Sequence, residues 1–215
     1  MNQILENKLF TKDSNISINK PTKVFKFIFI FSLFTIIVCI IFYSFLKYHS
    51  YKKEKISQDL VGNFGITTLY SNNNNYIASK ASNIEEPFVI GLLRIDKINL
   101  IYPILSSSSE ELLKISPCRF YGPMPNEIGN LCIAGHNYAS QKHFGKLSSL
   151  NTNDIFQVYS LDGNFVEYVI YNINEVHASD TSCTNQDTNN LREVTLITCN
   201  TIKGTRLVVK AKEKI

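Results

Sequence analysis

Between Phe27 and Leu46 lie twenty consecutive residues without a charge, FIFIFSLFTIIVCIIFYSFL, in which Ser32, Thr35 and Ser44 are the clear polar interruptions. A helix rises about 1.5 Å per residue, so such a run matches the roughly 30 Å of a bilayer's hydrocarbon core. A signal peptide is the rival reading, but its apolar region is shorter and ends in small residues at a cleavage site. Here the run passes into FLKYHSYKKEK, which offers no such site. The stretch over 24–46 therefore reads as an uncleaved transmembrane anchor. It separates a polar, Asn/Lys-rich arm over 1–23 from everything downstream.

Charge is placed unevenly around that anchor. The formal net charge is +4, of which residues 1–46 carry +3 and the remaining residues +1. Lys8, Lys12, Lys20, Lys23 and Lys26 precede the apolar run, and Lys47, Lys52, Lys53 and Lys55 follow it. Lysines on both flanks leave the positive-inside rule nearly undecided. No basic patch interleaved with aromatics is present, so nucleic acid is not an expected partner. With 215 residues, the chain has room for one domain of ordinary size and accessories.

Downstream, Lys47 to about Asp59 is charged and able to continue the helix. Gly62 to Glu86 is weakly patterned around Ser71 and four asparagines, a tract that buries nothing and prefers disorder or turns. The stretch over 47–86 reads as a stalk, and the folded domain as 87–215. Phe88–Ile95 and Ile98–Leu105 are short apolar runs around Asp96-Lys97. Ser108 and Glu111 fit a capping box for a short helix near 109–115. Pro117 to Asn130, with Pro117, Gly122, Pro123, Pro125 and Gly129, reads as an extended loop. Leu131–Ala134 is a buried strand, and Phe144–Leu150 is one helical turn. Ile155–Ser160 and Phe165–Val176 form a hairpin about Asp162-Gly163, and 177–192 is a polar loop. Val194–Cys199 and Arg206–Ala211 close the domain as a second hairpin. Seven or eight short strands and no long helical pattern argue for an all-β barrel or sandwich.

Five cysteines fit no zinc spacing and are too few for a disulfide scaffold. Cys39 lies in the apolar run, and Cys132 in LCIAG is a core residue. Cys118 and Cys183 are free or paired. Cys199 alone has an apolar strand leading to it and an arginine, Arg206, close behind. A nearby cation favours the thiolate, which is the form that attacks carbonyls. His136 follows another apolar run, so a thiol, an imidazole and a guanidinium can converge from three strand ends. His49 adjoins the membrane run. His143 and His177 lie in polar sequence, where a solvated imidazole is expected.

Thr195-Leu196-Ile197-Thr198-Cys199, Arg206 at the start of the last strand, and Gly135-His136 after an upstream strand resemble the sortases. These are the cysteine transpeptidases of Gram-positive cell surfaces. The resemblance covers about Phe88 to Ala211. It implies a closed eight-stranded β-barrel with one or two short helices, preceded by a single N-terminal transmembrane helix. It also implies an inside N-terminus and a catalytic domain on the extracellular face. Cys199 would be the nucleophile and His136 the acid and base. Arg206 would hold the oxyanion or a substrate carbonyl, and Thr198 would contact substrate.

The implied reaction cleaves an LPxTG-like sorting signal between Thr and Gly and passes the acyl group to a peptidoglycan amine. The expected partners are surface proteins bearing that signal, the peptidoglycan crossbridge or precursor, and the membrane. A pilin-polymerising enzyme with a Lys acceptor, and a non-catalytic tethered barrel that binds surface peptides, are the alternatives. No cofactor is expected. Some sortases hold calcium through loop carboxylates, but Asp154, Glu175, Asp180 and Asp187 are scattered loop acids of the kind that are ordinarily solvated. A class A- or D-like enzyme is expected rather than class B, since the 177–193 loop is too short for that class's long helix.

Overall fold

A computed structural model of the chain describes residues 23–71, 88–200 and 203–215. The polar arm, apart from Lys23, and the 72–86 portion of the expected stalk lie outside the described residues. The chain divides into two units, 1–48 and 49–215.

The described part of the first unit belongs to helix α1, which spans Lys23–Ser71. No Gly or Pro interrupts residues 23–61, and apolar side chains from Val24 to Leu46 are exposed around the whole helix. A helix without a polar face suits lipid, where every backbone N–H and C=O must be satisfied within the segment. It is the one helix among the described residues long and apolar enough to cross a membrane. The helix runs on past Gly62 and Gly65 to Ser71, where the sequence suggested weak order. Each glycine costs only about 1 kcal/mol once a helix is nucleated.

In the second unit, eight strands form a closed barrel. They are β1 (Val89–Ile95), β2 (Leu100–Leu105), β3 (Cys118–Tyr121), β4 (Gly129–Ala134), β5 (Ile155–Ser160), β6 (Phe165–His177), β7 (Arg192–Asn200) and β8 (Thr205–Glu213). Their order is β1-β2-β3-β4-β7-β8-β6-β5, and β5 pairs back with β1. Pairing is antiparallel except for β2 with β3 and β4 with β7. Closure leaves no free sheet edge. The interior is filled by Leu93, Ile104, Leu131, Ile133, Val158, Leu196 and Val209, each inaccessible or nearly so, with Phe156 stacked on Tyr168.

Two local expectations need correction. The short helix α2 (Glu110–Leu113) is capped by Ser109, whose hydroxyl accepts from the Leu112 N–H, and not by Ser108. Residue 112 is a leucine, so the capping is one-sided rather than a reciprocal box. The stretch read as a loop over 117–130 contains β3. Its four residues pair with β4 through a bulge, and Cys118 touches β2 through one residue pair. Pro117 and Gly122 bracket so short a strand that turn residues hide it. Gly122 itself sits at φ +93°, and a Cβ there would collide with the Asn130 carbonyl.

Behind β4, the fully buried Asn130 ties down the 178–191 loop. Its amide donates to the Cys183 and Asn185 carbonyls, each at 3.0 Å, and its oxygen accepts from Thr195 Oγ1 at 2.7 Å. Removing one end of such bonds leaves the buried partners at the other end unsatisfied. Asn130→Ala is expected to cost on the order of 3 kcal/mol. That corresponds to a melting temperature lowered by roughly 10 °C, readable by near-UV circular dichroism of the full chain in detergent.

Candidate active site

The candidate site is assembled by strand ends. β4 and β7 run parallel, with Ala134 opposite Ile197, so both strands finish at the same rim. Past that pair the two chains stay laced together. The Gly135 N–H donates to the Ile197 carbonyl at 3.0 Å, and Thr198 Oγ1 donates to the Gly135 carbonyl at 2.7 Å. Asn137 Nδ2 donates to the Cys199 carbonyl at 3.0 Å. Gly135 is required here because a Cβ would press into the Phe144 ring at 2.7 Å. The third side chain comes from the β7–β8 hairpin, whose register sets Cys199 directly opposite Arg206. Directly opposed residues of an antiparallel pair share a face, with Cβ atoms about 5 Å apart.

His136, Thr198, Cys199 and Arg206 all line one groove of about 210 Å³. Ala134, Gly135 and Ile197 contribute to it from β4 and β7, and Ser108, Leu113 and Phe120 from the α2 and β3 side. The four residues picked from the sequence are thus brought together. Thr198 is buried, and its hydroxyl is committed to the Gly135 carbonyl. Among the described residues of the barrel unit, Cys199 is the one exposed cysteine. Cys118 and Cys132 are sealed, and burial pushes each thiol up to about 12. Cys183 is buried and also pushed up, chiefly by burial. None of the barrel cysteines is paired.

His136 is half-buried, and its pKa lies below the ordinary imidazole value. Burial is the main cause, the Lys114 ammonium adds to it, and the Glu110 carboxylate opposes it. Lys114 and Glu110 bond to each other at 2.7 Å across one turn at α2. The expectation of a solvated His143 is overturned. It is 3% exposed, and its ring packs between Tyr102 and Tyr138. Its polar sequence neighbours, Gln141 and Lys142, concealed a residue that the tertiary fold turns inward. His177 is exposed and bonds Ser179. Asn137 was missed. Its signal was its place directly after the histidine, but only the parallel pairing shows which carbonyl it serves.

Barrel and groove together define a β-barrel thiol protein with a solvent-open cysteine, flanked by an arginine and a histidine on one rim. The sortase-domain profile matches residues 93–214. The chain belongs to the sortase family. It is 27% identical over 123 residues to sortase A of Bacillus anthracis, an alignment that covers 57% of this chain and 57% of that protein. The chain thus spans just over half the length of that curated relative. Among solved structures, a sortase D5 transpeptidase of Clostridium perfringens superposes with a TM-score of 0.62 at 25% identity, covering 76% of this chain and 99% of the other. A C. perfringens sortase C, solved with the C-terminal cell wall sorting motif, gives 0.54 at 24% identity over 75% and 90%. At that last identity the likeness is one of fold.

Two outcomes are expected from this geometry. A charged, membrane-impermeant thiol reagent should label Cys199 in the native protein and spare Cys118, Cys132 and Cys183 until denaturant is added, as peptide mass spectrometry would read. Removing the nearby cation by Lys114→Gln should raise the His136 pKa, and Glu110→Gln should lower it, because a like charge disfavours the imidazolium and an opposite charge favours it. The two variants should therefore move the histidine's NMR titration in opposite directions.

Proposed function

We propose that the chain is a membrane-anchored transpeptidase that cleaves an LPxTG-like sorting signal between Thr and Gly and transfers the protein to an amine of the peptidoglycan. The observation that carries this reading is the single groove in which the exposed Cys199 faces Arg206 across the hairpin and shares the rim with His136. The Cys199 thiolate attacks the Thr carbonyl carbon and forms a C–S bond. The developing oxyanion accepts hydrogen bonds from the Arg206 guanidinium, which cannot itself act as an acid. The His136 imidazolium gives its proton to the Gly nitrogen as the C–N bond breaks, leaving a thioester. An incoming amine then attacks that thioester, His136 takes the proton it sheds, and the C–S bond breaks to release the thiolate. Thr198 contributes to the groove floor against which the substrate lies.

The proposed organisation is a cytoplasmic arm over 1–23, an anchor over 24–46, a linker over 47–86 and the catalytic domain over 87–215. The N-terminus is placed inside and the barrel on the extracellular face. The length and composition of the apolar helix support the anchor. Tethering suits substrates that are themselves held at the membrane.

The test is full-length protein in nanodiscs, given LPxTG peptides with hydroxylamine or with candidate amines. Hydroxamate should form and disappear in Cys199→Ala. His136→Ala should lose about 10² to 10⁴ in rate, and Arg206→Lys about 10² to 10³. Preference for a peptidoglycan stem or crossbridge amine over a pilin lysine would support wall anchoring, and the reverse would make it a polymerase. Absence of turnover with every sorting-signal peptide would sink the enzyme reading and favour a binding barrel.

A further inference from the structure

The loop after His136 is pinned from an unexpected direction. His143 adopts a left-handed backbone conformation, φ +48°, although it is not a glycine. Its ring is buried, and its Nδ1 has no hydrogen-bond partner. A strained backbone and an orphaned polar atom at one residue need surroundings that over-determine it. Those surroundings are aromatic. The His143 ring stands edge-on to Tyr102, with centroids 4.9 Å apart, and edge-on to Tyr138 at 5.1 Å. Burial pushes the imidazole down to about 4, so the ring packs as an uncharged aromatic at neutral pH.

The same cluster reaches the candidate catalytic ring on one side. Tyr138 lies 5.2 Å from the His136 ring, centroid to centroid. The backbone closes the loop as well, through a bridge between Asn137 and His143 and a 3.0 Å bond from the Phe144 N–H to the His136 carbonyl. On its other side the cluster ends on α1. The Tyr102 hydroxyl donates to Glu54 Oε1 at 3.0 Å, and Lys142, next to His143, pairs with Glu54 Oε2 at 3.2 Å. One carboxylate on the helix thus holds both the barrel wall and the far end of the loop. Three residues on, Ser57 is fully buried, so the helix is seated at this point.

We propose that Glu54, Tyr102 and His143 are positioning residues for His136, acting through Tyr138 and the 136–144 loop, so that the segment of α1 just beyond the apolar run is a working part of the active site. Catalytic groups need their rotamers held to within about 0.5 Å by the packing behind them. The 136–144 loop is fastened near its start by Asn137 on the Cys199 carbonyl and at its end by the buried Phe144, and this cluster holds Tyr138, Lys142 and His143 between them. The proposal rests on the reading of His136 as the acid and base.

The test uses full-length protein in nanodiscs with ¹³C-labelled histidine, so that the ring is read independently of turnover. Tyr102→Phe keeps the ring and deletes the hydroxyl. Glu54→Gln and Lys142→Gln weaken the same carboxylate contacts. In each, the His136 ring resonance should shift or broaden while that of His177 stays in place. The turnover number should fall about tenfold, the worth of one hydrogen bond to a charged group, with KM unchanged. An unmoved His136 resonance in all three single variants would overturn the proposal. If the resonance moves but wild-type protein turns over no sorting peptide, the positioning holds and the transpeptidase reading fails.

Discussion

The parallel pairing of β4 with β7 is the contact on which the candidate site depends. Had these neighbours run antiparallel, the C-terminal ends of the two strands would sit at opposite rims. Parallel pairing requires a crossover, and here the crossover contains two of the eight strands, since β5, β6 and the 178–191 loop lie between β4 and β7. The interface is secured at both ends. Asn130 and Thr195 bond within it near its start. Gly135, Thr198 and Asn137 lace the exit. Arg206 needs no such long-range device, because a tight antiparallel hairpin sets it opposite Cys199.

That difference explains which parts of the site were legible in the sequence. The hairpin is local: two apolar β-prone runs and the Lys203-Gly204 turn place Cys199 and Arg206 together on turn chemistry alone. Gly204 indeed takes φ +65°. His136 stood out locally only by following an apolar run, and the resemblance of its strand end to a family element is what separated it from the other histidines. Nothing in the 57 residues between them states that β4 will lie beside β7. Contacts of high sequence separation leave no periodicity to read. The same holds for β3, where one bulged strand of four residues lies between proline and glycine. It holds again for His143, whose burial is dictated by Tyr102 and Tyr138 and not by its polar neighbours.

Thiol placement follows a single physical rule across the barrel. Cys118, Cys132 and Cys183 are small apolar fillers, inert because burial raises the cost of the thiolate. Cys199 sits one residue beyond the last buried position of its strand, after Thr198, and so reaches solvent while its backbone is held by Asn137. Strand alternation alone does not expose it. Exposure comes from the strand outrunning its cover at the rim. A buried, bonded Thr198 directly before an open Cys199 fixes the strand end that carries the thiol.

Three of the four loop acids that invite a calcium reading, Asp154, Asp180 and Glu175, are engaged in mechanical tasks. Asp154 accepts both bonds of Lys97 Nζ and the N–H of Asn151. Asp180 accepts from the Ser182 N–H at the start of a single helical turn in the 178–191 loop. Glu175 is the most telling. From β6 it gathers Asn200 Nδ2, Lys203 Nζ and Thr205 Oγ1, bracing both sides of the turn that separates Cys199 from Arg206. A cation drawn to Glu175 would have to displace that lysine and release the turn. The carboxylate is therefore better understood as part of what keeps thiol and guanidinium in register, in the way that Asn130 keeps β4 and the loop in register from behind.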